Sequence, residues 1–127
     1  MSKVKGIIGE CMAQKYLSNK GFKVLDMNYH SRYGEVDIVA LKGDCFVFVE
    51  VKLRKKNSKI FGREAVDRRK QTKMAKTALV YLSEIKKEVN ARFDVVEVTC
   101  SDDSASTNSI VHLENAFSLD DFYLGAA

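Results

Sequence analysis

The stretch from Gly34 to Lys52 reads GEVDIVALKGDCFVFVEVK. Two apolar runs, Val36 to Leu41 and Cys45 to Val51, flank Gly43-Asp44, which suits a two-residue hairpin loop with glycine first. Val, Ile and Phe dominate both runs, as they do in strands. With Gly43-Asp44 as the loop, Lys42 pairs with Cys45. Counting outward, Asp37 faces Glu50 and Glu35 faces Lys52. Alternation along a strand puts Asp37, Glu50 and Lys52 on one face with Phe46 and Phe48, and Val47, Val49 and Val51 on the other. A strand apolar on both faces is a covered, central strand. Its charges gather at the end away from the loop, as a polar cluster at the rim of a core.

The chain has 127 residues, which suits one domain over 1–127 with a short tail from about residue 116. Hydrophobic residues make up 46% and charged residues 30%, which excludes a disordered chain. No apolar run exceeds five residues, whereas a membrane helix needs about twenty, so no membrane association is expected. The start, MSKVKGIIGE, lacks a signal-peptide pattern. Three cysteines form no CxxC pair. Together these features point to a reducing cytoplasm, with Cys11, Cys45 and Cys100 as small buried hydrophobes.

Net charge is +4, but it is unevenly spread. Between Lys52 and Lys76 eleven Lys and Arg stand against two acids, a local +9, while the rest of the chain carries −5. A basic stripe directly after the hairpin fits a polyanion partner. Its expected contacts are Arg54, Lys55, Lys56, Arg63, Arg68, Arg69, Lys70 and Lys73. A solvated helix face is the plain alternative.

Around the hairpin the pattern gives a helix over Val4–Lys20, a strand over Phe22–Tyr29, a loop over Asn57–Gly62 and a long helix over Arg63–Glu88. A strand follows over Arg92–Cys100, a polar loop over Ser101–Asn108, a short strand over Ile110–Leu113, and a tail packing through Phe117, Leu119 and Phe122. The first helix is expected to turn Gly6, Glu10, Ala13, Gln14 and Leu17 toward the sheet, with Ile7, Ile8 and Cys11 beside them. The order α-β-β-β-α-β-β predicts an α/β fold, a mixed sheet flanked by helices.

Opposed carboxylates at a strand end suit Mg²⁺ or Mn²⁺, hard cations that also bind phosphate oxygens. Such an ion activates water and stabilises charge in phosphodiester hydrolysis. Lys52 is placed to hold the attacking water or a phosphate oxygen, and Glu10 to approach from the first helix. The competing reading is a cross-strand ion-pair ladder, which acid facing acid disfavours.

Gly34-Glu35-Val36-Asp37 followed by Phe48-Val49-Glu50-Val51-Lys52 resembles the PD-(D/E)xK nuclease signature. A wider ordered set resembles the bacterial YraN family of predicted endonucleases: Gly9-Glu10, Ala13, Tyr16-Leu17, Asn28-Tyr29, Gly34–Ala40, Phe48–Lys52, Phe61-Gly62, Ala65-Val66, Lys70, Arg92–Val95 and Ala116-Phe117. That family is similar in fold to archaeal Holliday-junction resolvases. The resemblance implies a restriction-endonuclease-like core, metal ligands at Asp37, Glu50 and the carbonyl of Val51, a catalytic lysine at Lys52 and an auxiliary acid at Glu10. It also implies duplex or branched DNA as partner and a homodimer. Gln71 matches a helical glutamine of some branches but reads more simply as a solvated polar residue. His30 stands where the family often has Arg, and His112 shows no partner in the sequence. A nucleic-acid-binding protein without catalysis is the alternative function, and a scaffold for a protein partner is a third.

Overall fold

In the computed structural model, residues 2–55, 66–100 and 109–118 are described, with the side chains of all but 2–5, 55 and 100. The elements are α1 (Ser2–Asn19), β1 (Lys23–Ser31), β2 (Gly34–Lys42), β3 (Cys45–Lys55), α2 (Arg68–Leu82), β4 (Asn90–Cys100) and β5 (Ser109–Phe117). The strands form one five-stranded sheet in the order β1-β2-β3-β4-β5. Only β3 and β4 run parallel. Parallel neighbours need a long crossover, and α2 lies within it. The α/β architecture and the element order are those expected.

The hairpin folds in the expected register. Lys42 pairs with Cys45 and Ile38 with Val49, and Gly43 has φ +61°, a left-handed conformation that glycine adopts without strain. The two faces of β3 separate as the alternation requires. Phe46 and Phe48 join Val39, Met74, Ala75, Ala78 and Phe93 in a core under α2. Val47 and Val49 join Ala13, Leu17, Ile38, Val96 and Val98 in a second core under α1. Aromatic rings bind the first core together: Tyr81 meets Phe48 edge-on at 5.8 Å, and Phe93 stacks on Phe117 at 4.6 Å.

Several expected boundaries shift. β3 extends through Lys55, because β4 pairs with it from Cys45↔Asn90 to Lys55↔Cys100. The long helix starts at Arg68, where the Asp67 carboxylate accepts the Lys70 backbone N–H at 2.8 Å as an N-cap. It ends at Leu82 and does not continue to Glu88, since Ser83 caps it and Ile85 reaches the core from the turn beyond. Residues 63–65 and the loop expected over Asn57–Gly62 lie outside the described residues. Ala116 and Phe117 belong to β5, which is longer than expected, while Leu119 and Phe122 lie outside the described residues.

On α1, Gly9, Ala13 and Leu17 face the sheet. Helical rotation then turns Cys11 to solvent, so it is no buried hydrophobe, and Cys45 is only half-buried. Ile7 and Ile8 are likewise exposed. Gly9 allows the close approach: a Cβ there would lie 2.6 Å from Leu53 Cδ2. Among the described residues no helix is long and apolar enough to cross a membrane.

Candidate active site

The β2–β3 ladder runs no further toward the open end than Ile38↔Val49. Beyond it β3 continues against β4 alone, and the Val51 N–H, free of β2, donates to Asp37 Oδ2 at 2.8 Å. This side-chain bond replaces a strand bond and sets Asp37 beside Glu50. The expected Glu35–Lys52 pairing is therefore absent. Glu35 turns to β1 instead, where His30 Nε2 meets its Oε2 at 2.9 Å.

Asp37 and Glu50 are 8% and 5% exposed, and the Glu50 carboxyl bears directly on the pKa of Asp37. Two buried acids placed together disfavour double ionisation. Burial, the Glu50 hydrogen bond and the Glu50 charge push Asp37 up to about 7, against the opposing pull of the Val51 N–H and Lys70. Lys70 Nζ reaches across from α2 to within 2.8 Å of Glu50 Oε2. The distance is that of an ion pair, yet Oε2 is fully buried and receives no well-aligned hydrogen bond. Burial lowers the Lys70 pKa, and the Glu50, Asp37 and Glu35 charges more than offset this, leaving it raised.

A buried carboxylate oxygen beside a second buried acid requires a cation, and Lys70 supplies that charge here without an aligned hydrogen bond. The donor set, two carboxylates at one strand end, fits a divalent ion that keeps several waters. Among the described residues no group of three or more His, Cys, Asp and Glu gathers for a metal, so a site here would be completed by water, backbone or substrate oxygens.

Lys52 lies two residues past Glu50 on the same face, half-exposed, with Glu97 as its direct neighbour on β4. Glu10 comes from α1, on the other side of the sheet. Its carboxylate accepts from Asn28 Nδ2 at 3.1 Å, and Asn28 itself has φ +54°. Burial raises the Glu10 pKa; Asn28 works against this, and the nearby Asp37 and Glu35 charges add to it. Glu10 thus senses Asp37 and Glu35 electrostatically while Asn28 holds it.

A groove of about 510 Å³ opens beside Lys70, lined also by Arg69 and Lys73 and by the acids Glu35 and Asp67. Arg68, Arg69 and Lys73 are exposed on α2. Of the other expected basic contacts, Arg54 is nearly buried, with Nη1 2.6 Å from Glu97 Oε1. The Lys55 side chain, Lys56 and Arg63 lie outside the described residues. A cavity of about 650 Å³ at the hairpin loop touches Gly43, Asp44, Lys87 and Glu88, whose charged groups are all exposed. None of its lining residues contacts Glu50, whereas Lys70 in the smaller groove does.

Gln71 donates from Nε2 to the Val66 carbonyl at 2.9 Å and so secures the start of α2. His30 is exposed. His112, for which no partner was foreseen, has one: its Nε2 lies 2.7 Å from Asp94 Oδ2. Asp94 is fully buried and also accepts from Arg92 Nε at 3.0 Å and the Asn115 N–H at 2.9 Å. Burial acts to raise its pKa, and these donors outweigh burial and leave it lowered. His112 packs edge-on against Tyr16 at 5.6 Å, which ties α1 to β4 and β5.

Residues 9–98, which span the hairpin, both acids and α2, match the profile of the uncharacterised protein family UPF0102. The chain belongs to that family. A UPF0102 protein of Alkaliphilus oremlandii is 43% identical over 122 residues, covering 92% of this chain and all of the relative. One from Caldanaerobacter subterraneus is 40% identical over 116 residues, with 91% and 95% covered. A third, from Persephonella marina, is 36% identical over 120 residues, with 92% and 96% covered. Membership of UPF0102 supports the resemblance to the YraN family.

Proposed function

We propose that this UPF0102 protein is a metal-dependent endonuclease of the PD-(D/E)xK type that hydrolyses phosphodiester bonds in duplex or branched DNA. The observation that carries this reading is the buried Asp37–Glu50 pair. A protein that only binds nucleic acid has no use for two opposed, buried acids, whose mutual repulsion costs stability. Asp37, Glu50 and the carbonyl of Val51 would hold Mg²⁺ or Mn²⁺. Such an ion supplies a polarised phosphate oxygen and an activated water.

Lys52 serves as the catalytic lysine, steadying the attacking water or a phosphate oxygen from the neighbouring position on β3. Glu10 is the auxiliary acid, close enough to add to the field at Asp37. Arg69 and Lys73 flank the groove and would hold the backbone by its phosphates, with Arg68 beside them. Arg54 is committed to Glu97, which makes it a less direct phosphate contact than the α2 residues. One small site cuts one strand, so a two-strand cut calls for a homodimer. A cytoplasmic setting fits the free thiols at Cys11 and Cys45.

The test is cleavage of labelled duplex, single-stranded and four-way-junction DNA with Mg²⁺, comparing wild type with Asp37→Ala and Glu50→Ala. Wild type should cut at least one substrate and neither variant should. Equal binding by all three proteins with no cleavage by any would leave a nucleic-acid-binding protein in place of a nuclease. Sedimentation showing a monomer at working concentration would remove the homodimer.

A further inference from the structure

Lys70 occupies the place where a cation is wanted. Its ammonium lies 2.8 Å from Glu50 Oε2, so it is the positive charge that now balances the buried acids. Its side chain is 42% exposed and lines the groove next to Arg69 and Lys73. One end of this residue therefore touches the acid pair while its stem borders the surface where a phosphate would sit. The contact with Glu50 is close but poorly aligned, and a lysine stem has four rotatable carbons over which to swing. An ammonium and a divalent ion cannot share Glu50 Oε2, because both would stand within a few ångströms of each other and repel.

We propose that Lys70 is an internal counter-cation that blocks metal loading at Glu50 until a DNA phosphate in the groove draws it away. This rests on the reading of Asp37 and Glu50 as metal ligands. A phosphate entering beside Arg69 and Lys73 offers Lys70 a second anion, of the same single charge but open to solvent and flanked by two further cations. As the ammonium turns to it, Glu50 Oε2 is left without compensation and takes the metal ion. Metal binding and substrate binding then favour one another, and by linkage the coupling is reciprocal. The free protein stays weakly metallated.

The opposite role, Lys70 as a brace that holds Glu50 in position for metal, predicts an effect of opposite sign. Mn²⁺ binding to the full chain separates them, read by titration calorimetry or by loss of the free-ion EPR signal. Lys70→Met should bind Mn²⁺ on the order of tenfold more tightly than wild type, as expected for removing one competing charge. Lys70→Arg keeps the charge and should behave as wild type. Adding a short DNA duplex, with its own Mn²⁺ uptake subtracted, should tighten Mn²⁺ binding to wild type by about tenfold and leave Lys70→Met nearly unchanged. Thermal unfolding of each variant confirms that it is folded. Weaker or equal Mn²⁺ binding by Lys70→Met, or a wild type indifferent to the duplex, overturns the proposal and leaves the metal site standing. No Mn²⁺ binding by wild type or Lys70→Met, with or without duplex, removes the metal reading of Asp37 and Glu50 itself.

Discussion

Replacing Asp37 by Asn should stabilise the metal-free protein at alkaline pH. In the unfolded chain this carboxyl ionises near 3.8, and in the fold it keeps its proton to about 7. Between those values the folded state binds more protons than the unfolded one, so stability falls as pH rises and levels off above about pH 8. The loss amounts to about 4 kcal/mol at its full extent. Asn has nearly the same shape, keeps an acceptor for the Val51 N–H and offers a donor to Glu50 without a proton from solvent. Allowing for imperfect geometry, Asp37→Asn should gain about 2–4 kcal/mol near pH 8, a rise of roughly 5–15 °C in Tm for a domain of this size. The gap should shrink toward pH 4. Circular dichroism melts in chelator across this pH range measure it. Adding Mg²⁺ should then raise the wild-type Tm and leave that of Asp37→Asn unmoved. An Asn variant less stable than wild type at pH 8, or a gap that ignores pH, would refute the argument that burial beside Glu50 strains this carboxyl.

Asp94 behaves in the reverse sense. Its folded pKa is depressed, so the stability it confers is present at neutral pH and lost as pH falls through the folded value; Asp94→Asn should cost about 3 kcal/mol in urea denaturation at pH 7, with the gap narrowing in acid, and a constant gap down to about pH 2 would contradict the role given to Arg92 and His112. Gly9→Ala should cost about 1 kcal/mol where Leu53 stands in the way, and should stabilise by about as much in a Leu53→Ala background, because alanine is the better helix former; a double-mutant cycle measures the sign change. If α2 grips phosphate, Arg69→Ala with Lys73→Ala should weaken DNA binding and flatten the slope of log K against log salt by about two; an unchanged slope would place the DNA elsewhere.

The hairpin was legible because its information is local. Gly43-Asp44 fixes the loop, and the loop fixes the register by counting as far as Ile38 and Val49, next to Asp37 and Glu50. The count stops being informative where β2 and β3 part, since only the Val51–Asp37 bond marks that point. The extension of β3 through Lys55 was hidden by its charges, which look like loop until Glu97 is found beneath Arg54. Lys70 read as one basic residue among several, because periodicity places it near the sheet but not over Glu50. Asn28 carried the only available hint to the hold on Glu10, as a member of the quoted motif. His112 and Asp94 sit on adjacent strands, eighteen residues apart, and neither has a local pattern that would join them. Cys11 was misplaced by taking its neighbours on α1 as a single face.

The parallel pairing of β3 with β4 has a consequence for how the chain reaches this fold. β3 can find β2 across a two-residue loop, but it finds β4 only after the chain has run through α2 to Asn90. Short closures form first and distant ones late. The hairpin would therefore bring Asp37 and Glu50 together before α2 supplies the ammonium of Lys70. During that interval the two acids face each other with the Val51 N–H and water in place of an ammonium. The step that assembles the acid pair therefore precedes the step that brings in its counter-charge.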